Sequence, residues 1–211
     1  MRNTLKKLAV TTGVASAALA LGATQAMAFP ATTWTVTSNP AAFTASSTSV
    51  ILSVNSIPMT CTTAAASGSA FTATGNPANI ASITAATFGT TSSPCTSSVG
   101  PVTPVTTMPW GIWAEDYDTA AGKTVGHIKN IKAKLKVLTC EFTVEGSVYA
   151  SYVNSTKKLT ATSTKILSSQ ATQGLKVTTV TAGCTGLIAV GMVPTFNAVY
   201  SVNGITSIVG T

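Results

Sequence analysis

Two stretches of matching layout, each bounded by cysteines, constrain the fold of this chain more than any other feature. The first is Cys61–Cys95 and the second is Cys140–Cys184. Each contains a nine-residue segment, 68–76 or 146–154, that starts with Gly-Ser, has an aromatic residue in fourth place and ends in Asn. The pattern indicates a β unit used twice, with each copy closed by its own disulfide. Chance similarity in a chain rich in Ser, Thr, Ala and Gly is the alternative.

Residues 1–28 have the three parts of a secretory signal peptide. A basic start containing Arg2 precedes the apolar run 8–21, and small residues precede a cleavage site after residue 28. The apolar run is short and contains Thr and Gly, which argues against a retained membrane helix. We therefore expect residues 29–211 to be a secreted domain, extracellular or at the cell surface, without a transmembrane segment.

The cysteine count favours disulfides over a metal site. All four cysteines follow the signal peptide, and an even number in an oxidising compartment predicts two disulfides. Three pairings are open, and the repeat favours the one within each unit. Each bond would stabilise the fold by roughly 4 kcal/mol in the chain-entropy model. Zinc is the alternative, but no C-x-x-C motif occurs and His127 is the single histidine. We expect no metal and no cofactor.

The charge of the exported part argues against nucleic-acid binding. Without the three basic residues of the signal peptide, nine lysines face five acidic residues, so the net charge is +4, and no arginine remains. Bidentate recognition of phosphates and bases normally relies on arginine.

The remaining sequence predicts an all-β fold. Residues 29–114 contain no Asp, Glu, Lys, Arg or His, yet they show strand patterns at 49–54 and 80–88, separated by Pro and Gly. Helical periodicity is absent. We expect a single β-sandwich or barrel of about ten to twelve short strands, in which the repeat halves would be 29–118 and 119–211.

The order of features in residues 43–110 resembles a known family. The features are Phe43-Thr44-Ala45, Cys61, Ile83-Thr84-Ala85-Ala86-Thr87-Phe88, Cys95 and Met108-Pro109-Trp110. They resemble the secreted family of activators of alkane oxidation and similar exported β-proteins of actinobacteria. The resemblance implies a bacterial surface or matrix protein linked to growth on hydrophobic substrates, and it supplies no catalytic residues. The lysine-rich second half departs from the family pattern.

The densest chemistry lies in residues 110–118. The candidate ligand-binding residues are Trp110, Trp113, Asp116, Tyr117 and Asp118. Aromatic faces stack on sugars or lie at apolar surfaces, and the two aspartates could orient hydroxyl groups or bind calcium. The alternative interpretation places both tryptophans in the core and the acids in a solvated loop.

Strict alternation over residues 131–137 predicts a half-buried strand with three lysines on its outer face. The apolar positions change from odd to even after Cys140, which predicts a bulge or turn near 138–141. We interpret the lysines as a solvated edge that resists aggregation, although contact with acidic lipids or polymers is the alternative. His127 is expected in a turn or at the surface.

These features predict a non-catalytic protein. A catalytic triad would need His127 with Asp116 or Asp118, and no G-x-S-x-G motif is present. Our leading hypothesis is a secreted surface or extracellular-matrix β-protein. The alternative is a carbohydrate- or lipid-binding module that uses Trp110, Trp113 and Tyr117. Because residues 29–114 lack charge, we also expect self-association, or contact with a glycan or lipid of the cell envelope, through this part.

Overall fold

A computed structural model describes residues 31–38, 41–163 and 174–211. The expected signal peptide, 1–28, lies outside the described residues. Within them the chain is all-β, with one 3-10 turn at Ala182–Cys184 and no α-helix. The strands are β1 (Thr33–Ser38), β2 (Ala42–Ser47), β3 (Val50–Val54), β4 (Ile57–Cys61), β5 (Ala64–Ala70), β6 (Ala73–Thr74), β7 (Ala78–Phe88), β8 (Cys95–Ser97), β9 (Gly100–Thr106), β10 (Trp110–Asp118), β11 (Lys123–Val137), β12 (Cys140–Val153), β13 (Lys158–Thr162), β14 (Lys176–Val180), β15 (Thr195–Asn203) and β16 (Ile205–Gly210). These sixteen strands of the described residues outnumber the ten to twelve that we expected, and β6 and β8, with two and three residues, account for two of the excess because they are too short to show a period-two pattern.

Eight of these strands close into an antiparallel ring. The order around the ring is β11, β10, β7, β5, β2, β15, β13 and β12, and β12 pairs again with β11. The strands β2, β5, β7 and β10 come from the first half of the sequence, and the other four come from the second half. Strands from both halves of the sequence are therefore neighbours in one ring.

A second layer of four strands branches from this ring. Strand β11 pairs with β10 along its first half and with β9 along its second half. In the same way, strand β15 pairs with β3 along its first half and with β2 along its second half. Between these branch points, β3, β4, β8 and β9 form a continuous antiparallel layer. The structure thus combines the two predicted architectures, a closed ring and a pair of layers.

The small sheet β16-β1-β6 covers one end of the ring. Trp34 of β1 is fully buried there. Two buried side chains of the ring donate hydrogen bonds to carbonyl oxygens of β16: Thr124 Oγ1 to Ile208 at 3.0 Å and Tyr152 Oη to Ile205 at 2.9 Å. This end is therefore closed by backbone and packed side chains. The opposite end is formed by the turns that connect β3 to β4, β8 to β9 and β11 to β12.

The long hairpin of β11 and β12 confirms the alternation read from the sequence. Leu135 and Val137 are buried while Lys132, Lys134 and Lys136 are exposed, and the change of parity occurs at a two-residue turn, Leu138 and Thr139. The edge interpretation of the lysines is wrong, because β11 is paired along both sides. The lysines lie on the outer face of an interior strand. Lys132 and Lys134 form ion pairs with glutamates of β12, at 2.8 and 3.0 Å.

Two disulfides join Cys61 to Cys95 and Cys140 to Cys184, the pairing that closes each repeated stretch on itself. The first bond links the neighbouring strands β4 and β8. The second links the start of β12 to the 3-10 turn, and thereby anchors the segment that leads to β15. The part of the chain that the structure describes has no helix with the length and apolar character needed to cross a membrane.

Candidate functional site

Strand β10 carries all five predicted ligand-binding residues, but it does not bring them together. Trp110 points inward, where it is buried, donates Nε1 to the carbonyl oxygen of Thr107 at 2.8 Å and packs against Phe88 at a ring-centroid distance of 6.4 Å. Trp113 lies three residues along, and successive side chains of a strand point to opposite faces. The two indoles therefore lie on opposite sides of the sheet. Trp110 and Trp113 therefore do not share one face of β10.

On the outer face, Trp113 borders polar atoms that lack partners. Nε1 of Trp113 and Oδ1 of its cross-strand neighbour Asn79 are buried without a hydrogen bond. Both border the same space, because a Cβ atom placed on Gly111 would lie 2.9 Å from the indole nitrogen and 3.6 Å from the amide oxygen. Nζ of Lys129 lies 4.8 Å from the centre of the indole ring. One face of the ring is thus already in contact with a cation.

The two aspartates of β10 accept hydrogen bonds from backbone amides. Oδ1 of Asp116 accepts a hydrogen bond from the amide of Tyr117 at 2.9 Å, and Oδ1 of Asp118 accepts one from Ala121 at 3.0 Å. Both residues are exposed. Among the described residues, no group of three His, Cys, Asp or Glu side chains is placed to hold a metal. Tyr117 packs partly against the core, apart from both aspartate side chains.

Glu115, which the sequence did not single out as a partner for His127, forms a buried pair with it. Nδ1 of His127 lies 2.7 Å from Oε1 of Glu115, and the two residues are only 2 % and 8 % exposed. The expectation of a turn or surface position for His127 is therefore wrong. The cause is a β-bulge: Ala114 and Asp116 pair with consecutive residues of β11, so Glu115 is the extra residue. A bulge re-aims a side chain, and here it brings the carboxylate beside the histidine.

The close approach at this bulge depends on a glycine. Gly126 pairs with Ala114, and a Cβ atom on it would collide with the carbonyl oxygen of Trp113. The glycine just before the histidine is therefore the sequence signal that marks this site. It can be interpreted only once the pairing of Gly126 with Ala114 is known.

A cavity of about 100 Å³ lies between the two layers. Its walls come from the ring strands, for example Phe43 and Ile83, and from the second layer, for example Val50 and Val102. Trp110 also lines it, which places one predicted ligand-binding residue at an apolar site that is partly open, since lining residues such as Phe88 and Pro104 are only half-buried. Protein interiors contain few voids larger than a water molecule, so a cavity of this size is unusual.

Small side chains explain why the space is open. Six alanines line the cavity: Ala45, Ala65, Ala66, Ala86, Ala133 and Ala161. Each occupies a position at which a larger apolar residue would be compatible with the strand pattern. Of the described residues that line the cavity, Tyr200 alone titrates, and burial raises its pKa. The cavity is therefore suited to uncharged, apolar matter.

Comparison with known proteins adds no relative, since no family model, curated protein or solved structure matches this chain.

Proposed function

We propose that this chain is an exported, non-catalytic β-protein that takes up a small apolar molecule, or the end of an alkyl chain, in its internal cavity. The observation that carries the proposal is the cavity of about 100 Å³ with apolar walls from both layers. An engineered apolar cavity of roughly 150 Å³ stays dry and binds benzene, so a space of this order accepts several carbon atoms. The proposal combines the surface-protein hypothesis with the lipid-binding alternative.

The chemistry of the wall selects the ligand class. A polar group brought into this space would lose its hydrogen bonds to water, at a cost of about 1–3 kcal/mol by mutational data. A hydrocarbon loses nothing comparable and gains about 0.8 kcal/mol for each CH₂ group buried. We expect saturated or aromatic hydrocarbons to bind and their hydroxylated analogues to be discriminated against.

The surroundings favour uptake over catalysis. The buried pair of His127 and Glu115 lies on the outer face of the sheet, away from the cavity. General acid–base catalysis needs a titratable group within hydrogen-bond reach of the reacting atoms. Two disulfides fit an extracellular protein, where apolar molecules need a carrier or a receptor because water does not dissolve them.

Quenching of Trp110 by a brominated short-chain alkane tests the proposal. A bromine atom in the cavity contacts the Trp110 indole, so we expect saturable loss of fluorescence, absent in Trp110→Phe and retained in Trp113→Phe. Equal quenching of both variants, or linear quenching without saturation, would reject the cavity as a binding site.

Sugar binding on the outer face is a second candidate, favoured by the unpaired donor of Trp113 and acceptor of Asn79. Both atoms are buried, so a hydroxyl group reaches them only if the side chains that cover them move; it can then accept from the indole and donate to the amide oxygen, as sugar hydroxyls do. A glycan array separates the two functions. Trp113→Phe would abolish glycan retention and leave alkane quenching unchanged, whereas an array without any retained glycan would remove this candidate.

A further inference from the structure

A groove of about 50 Å³ opens at the end of the molecule opposite the small sheet. It lies where three hairpin turns meet the segment after the second disulfide, and its lining includes Ile57, Val99, Leu138, Leu187 and Ile188. Asn55 of the β3–β4 turn donates its Nδ2 to the carbonyl oxygen of Leu187 at 3.0 Å, which holds the segment against that turn.

Met59 connects this groove to the internal cavity. It is buried, and it is the one residue that lines both spaces. A methionine side chain has three rotatable bonds and adapts to irregular space more readily than branched apolar residues do. Rotation of a single flexible side chain is therefore the smallest change that would join the groove to the cavity.

The rim of the groove exposes apolar side chains. Leu138 is 66 % exposed and Leu187 is 37 % exposed, and the same connecting segment carries Val190 and Val193 at 60 % and 65 %. These four are half of the eight large apolar residues that are exposed among the described residues. Leu138 and Leu187 line the same groove, and contiguous apolar surface marks an interaction site more often than scattered exposed residues do.

Leu138 is held in an unfavourable backbone conformation at the tip. Its φ is 54°, in the left-handed region, and it is the first residue of a two-residue hairpin turn. Glycine, asparagine or aspartate is favoured at such a position, because a branched side chain clashes with the following carbonyl oxygen. A leucine here is unfavourable both for the turn and for contact with water, which points to a role for its side chain outside the folded monomer.

The charge beside the rim selects the partner. Four lysines lie on the outer faces of β11 and β14, those of β11 at two, four and six residues before Leu138, while the same surface of β12 carries two glutamates, each paired with one of these lysines. The lysines are Lys132, Lys134, Lys136 and Lys176, and the glutamates are Glu141 and Glu145. The net charge of this region is therefore +2. Each lysine close to an anionic membrane surface increases the affinity for that surface roughly fivefold.

We propose that this end of the molecule docks on a lipid bilayer with anionic headgroups, with Leu138 and Leu187 inserted, and that apolar molecules pass between bilayer and cavity at Met59. The inference rests on the proposed function, because it supplies the route by which the cavity is filled. It departs from the expectation that the uncharged residues 29–114 make the envelope contact. The apolar rim and the basic flank both belong mainly to the second half of the chain.

Co-sedimentation with vesicles tests the docking surface. The purified protein is mixed with vesicles of phosphatidylcholine alone or with added phosphatidylglycerol. We expect binding to the mixed vesicles, weakened by salt, and about tenfold weaker binding for Leu138→Gly, as expected for one leucine withdrawn from lipid. Because glycine suits the turn, this variant should unfold at the same or a higher temperature, so lost binding cannot come from lost folding. Val105→Ser, at an exposed valine of β9 outside the groove, is the matched control.

The outcomes separate this inference from the proposed function. Vesicle binding that is absent, or equal in Leu138→Gly and Val105→Ser, overturns the docking surface even if bromoalkane still quenches Trp110. A sedimentation analysis in which Leu138→Gly dissociates an oligomer without affecting vesicle binding overturns it too, and assigns the patch to a second copy of the chain. Vesicle binding without Trp110 quenching supports docking but overturns the cavity function and the passage at Met59.

Discussion

Replacement of Ala161 by valine adds two carbon atoms to the wall of the internal cavity. Ala161 is 1 % exposed, lies in β13 and lines the cavity. Enlarging a well-packed core residue normally destabilises a protein through strain, by about 1–3 kcal/mol. At this position we expect the opposite sign, because the added atoms occupy space that is already open.

The size of the cavity sets the expected gain. A void costs about 24 cal/mol per Å³, so 100 Å³ corresponds to about 2.4 kcal/mol for complete filling. Two buried carbon atoms at about 0.8 kcal/mol each would recover at most about 1.6 kcal/mol. We expect Ala161→Val to raise the free energy of unfolding by about 1 kcal/mol. The same atoms displace ligand, so we expect affinity for the bromoalkane to fall about tenfold, since each lost CH₂ contact costs about 0.8 kcal/mol.

Urea unfolding followed by circular dichroism measures the first effect, and Trp110 quenching measures the second. Ala114→Val is the matched control, because Ala114 is equally buried in a strand but lines none of the described cavities. Both changes add the same atoms and the same β-propensity, so their difference reports the available space. The control should lose stability through overpacking and keep the affinity of the folded protein.

Two results would refute this reasoning. If Ala161→Val is as destabilising as Ala114→Val, the space beside residue 161 cannot accept two carbon atoms. If Ala161→Val stabilises the protein and leaves bromoalkane affinity unchanged, the ligand does not occupy the cavity.

Three further predictions follow from the buried groups. Glu115→Ala should lower the free energy of unfolding by about 3 kcal/mol, because it leaves the buried His127 without its partner. Glu145→Ala removes an exposed ion pair and should cost less than about 1 kcal/mol in the same urea titration. Equal losses for the two variants would contradict the burial argument. Burial raises the pKa of Tyr200 above its ordinary value of about 10. Its neutral form therefore contributes stability that is present below about pH 10 and declines as the pH rises above the unfolded-state value, so Tyr200→Phe should flatten the alkaline fall in melting temperature, and an unchanged slope would refute this. Joint replacement of Cys140 and Cys184 by alanine should lower the free energy of unfolding by about 4 kcal/mol, because the bond closes a loop with a sequence separation of 44 residues. If the variant is still less stable than the parent protein when both are measured under reducing conditions, the loss does not come from the missing cross-link.

Much of the strand pattern was accessible from the sequence, because alternation is a local property. The apolar positions of β11 and β12 identified their buried faces, and the change of parity located the turn at Leu138 and Thr139. The repeated layout also favoured the cysteine pairing that the structure contains. Each of these inferences depends on residues close in sequence or on a repeat.

Candidate-site prediction was less successful, because its evidence was composition within one strand. Trp110 and Trp113 are close in sequence, yet the pleat separates them by the thickness of the sheet. His127 was misplaced because its partner Glu115 becomes visible only when β10 and β11 are paired with a bulge between them. Alternation does not reveal how many neighbours a strand has, so it cannot distinguish lysines on the outer face of an interior strand, as in β11, from lysines on an edge strand.

The sequence by itself determined the class of fold, the orientation of the long strands and the two stretches closed by disulfides, since these follow from the period of a strand and the spacing of cysteines. Tertiary structure alone decided the closure of eight strands into a ring, the second layer and the cavity between them. The size of that cavity depends on the summed volumes of side chains that come from eleven strands. Six of these side chains are alanines, and no single segment of the sequence contains that information. A hydrophobic pattern specifies which side chains face inward, but only packing determines whether they fill the interior.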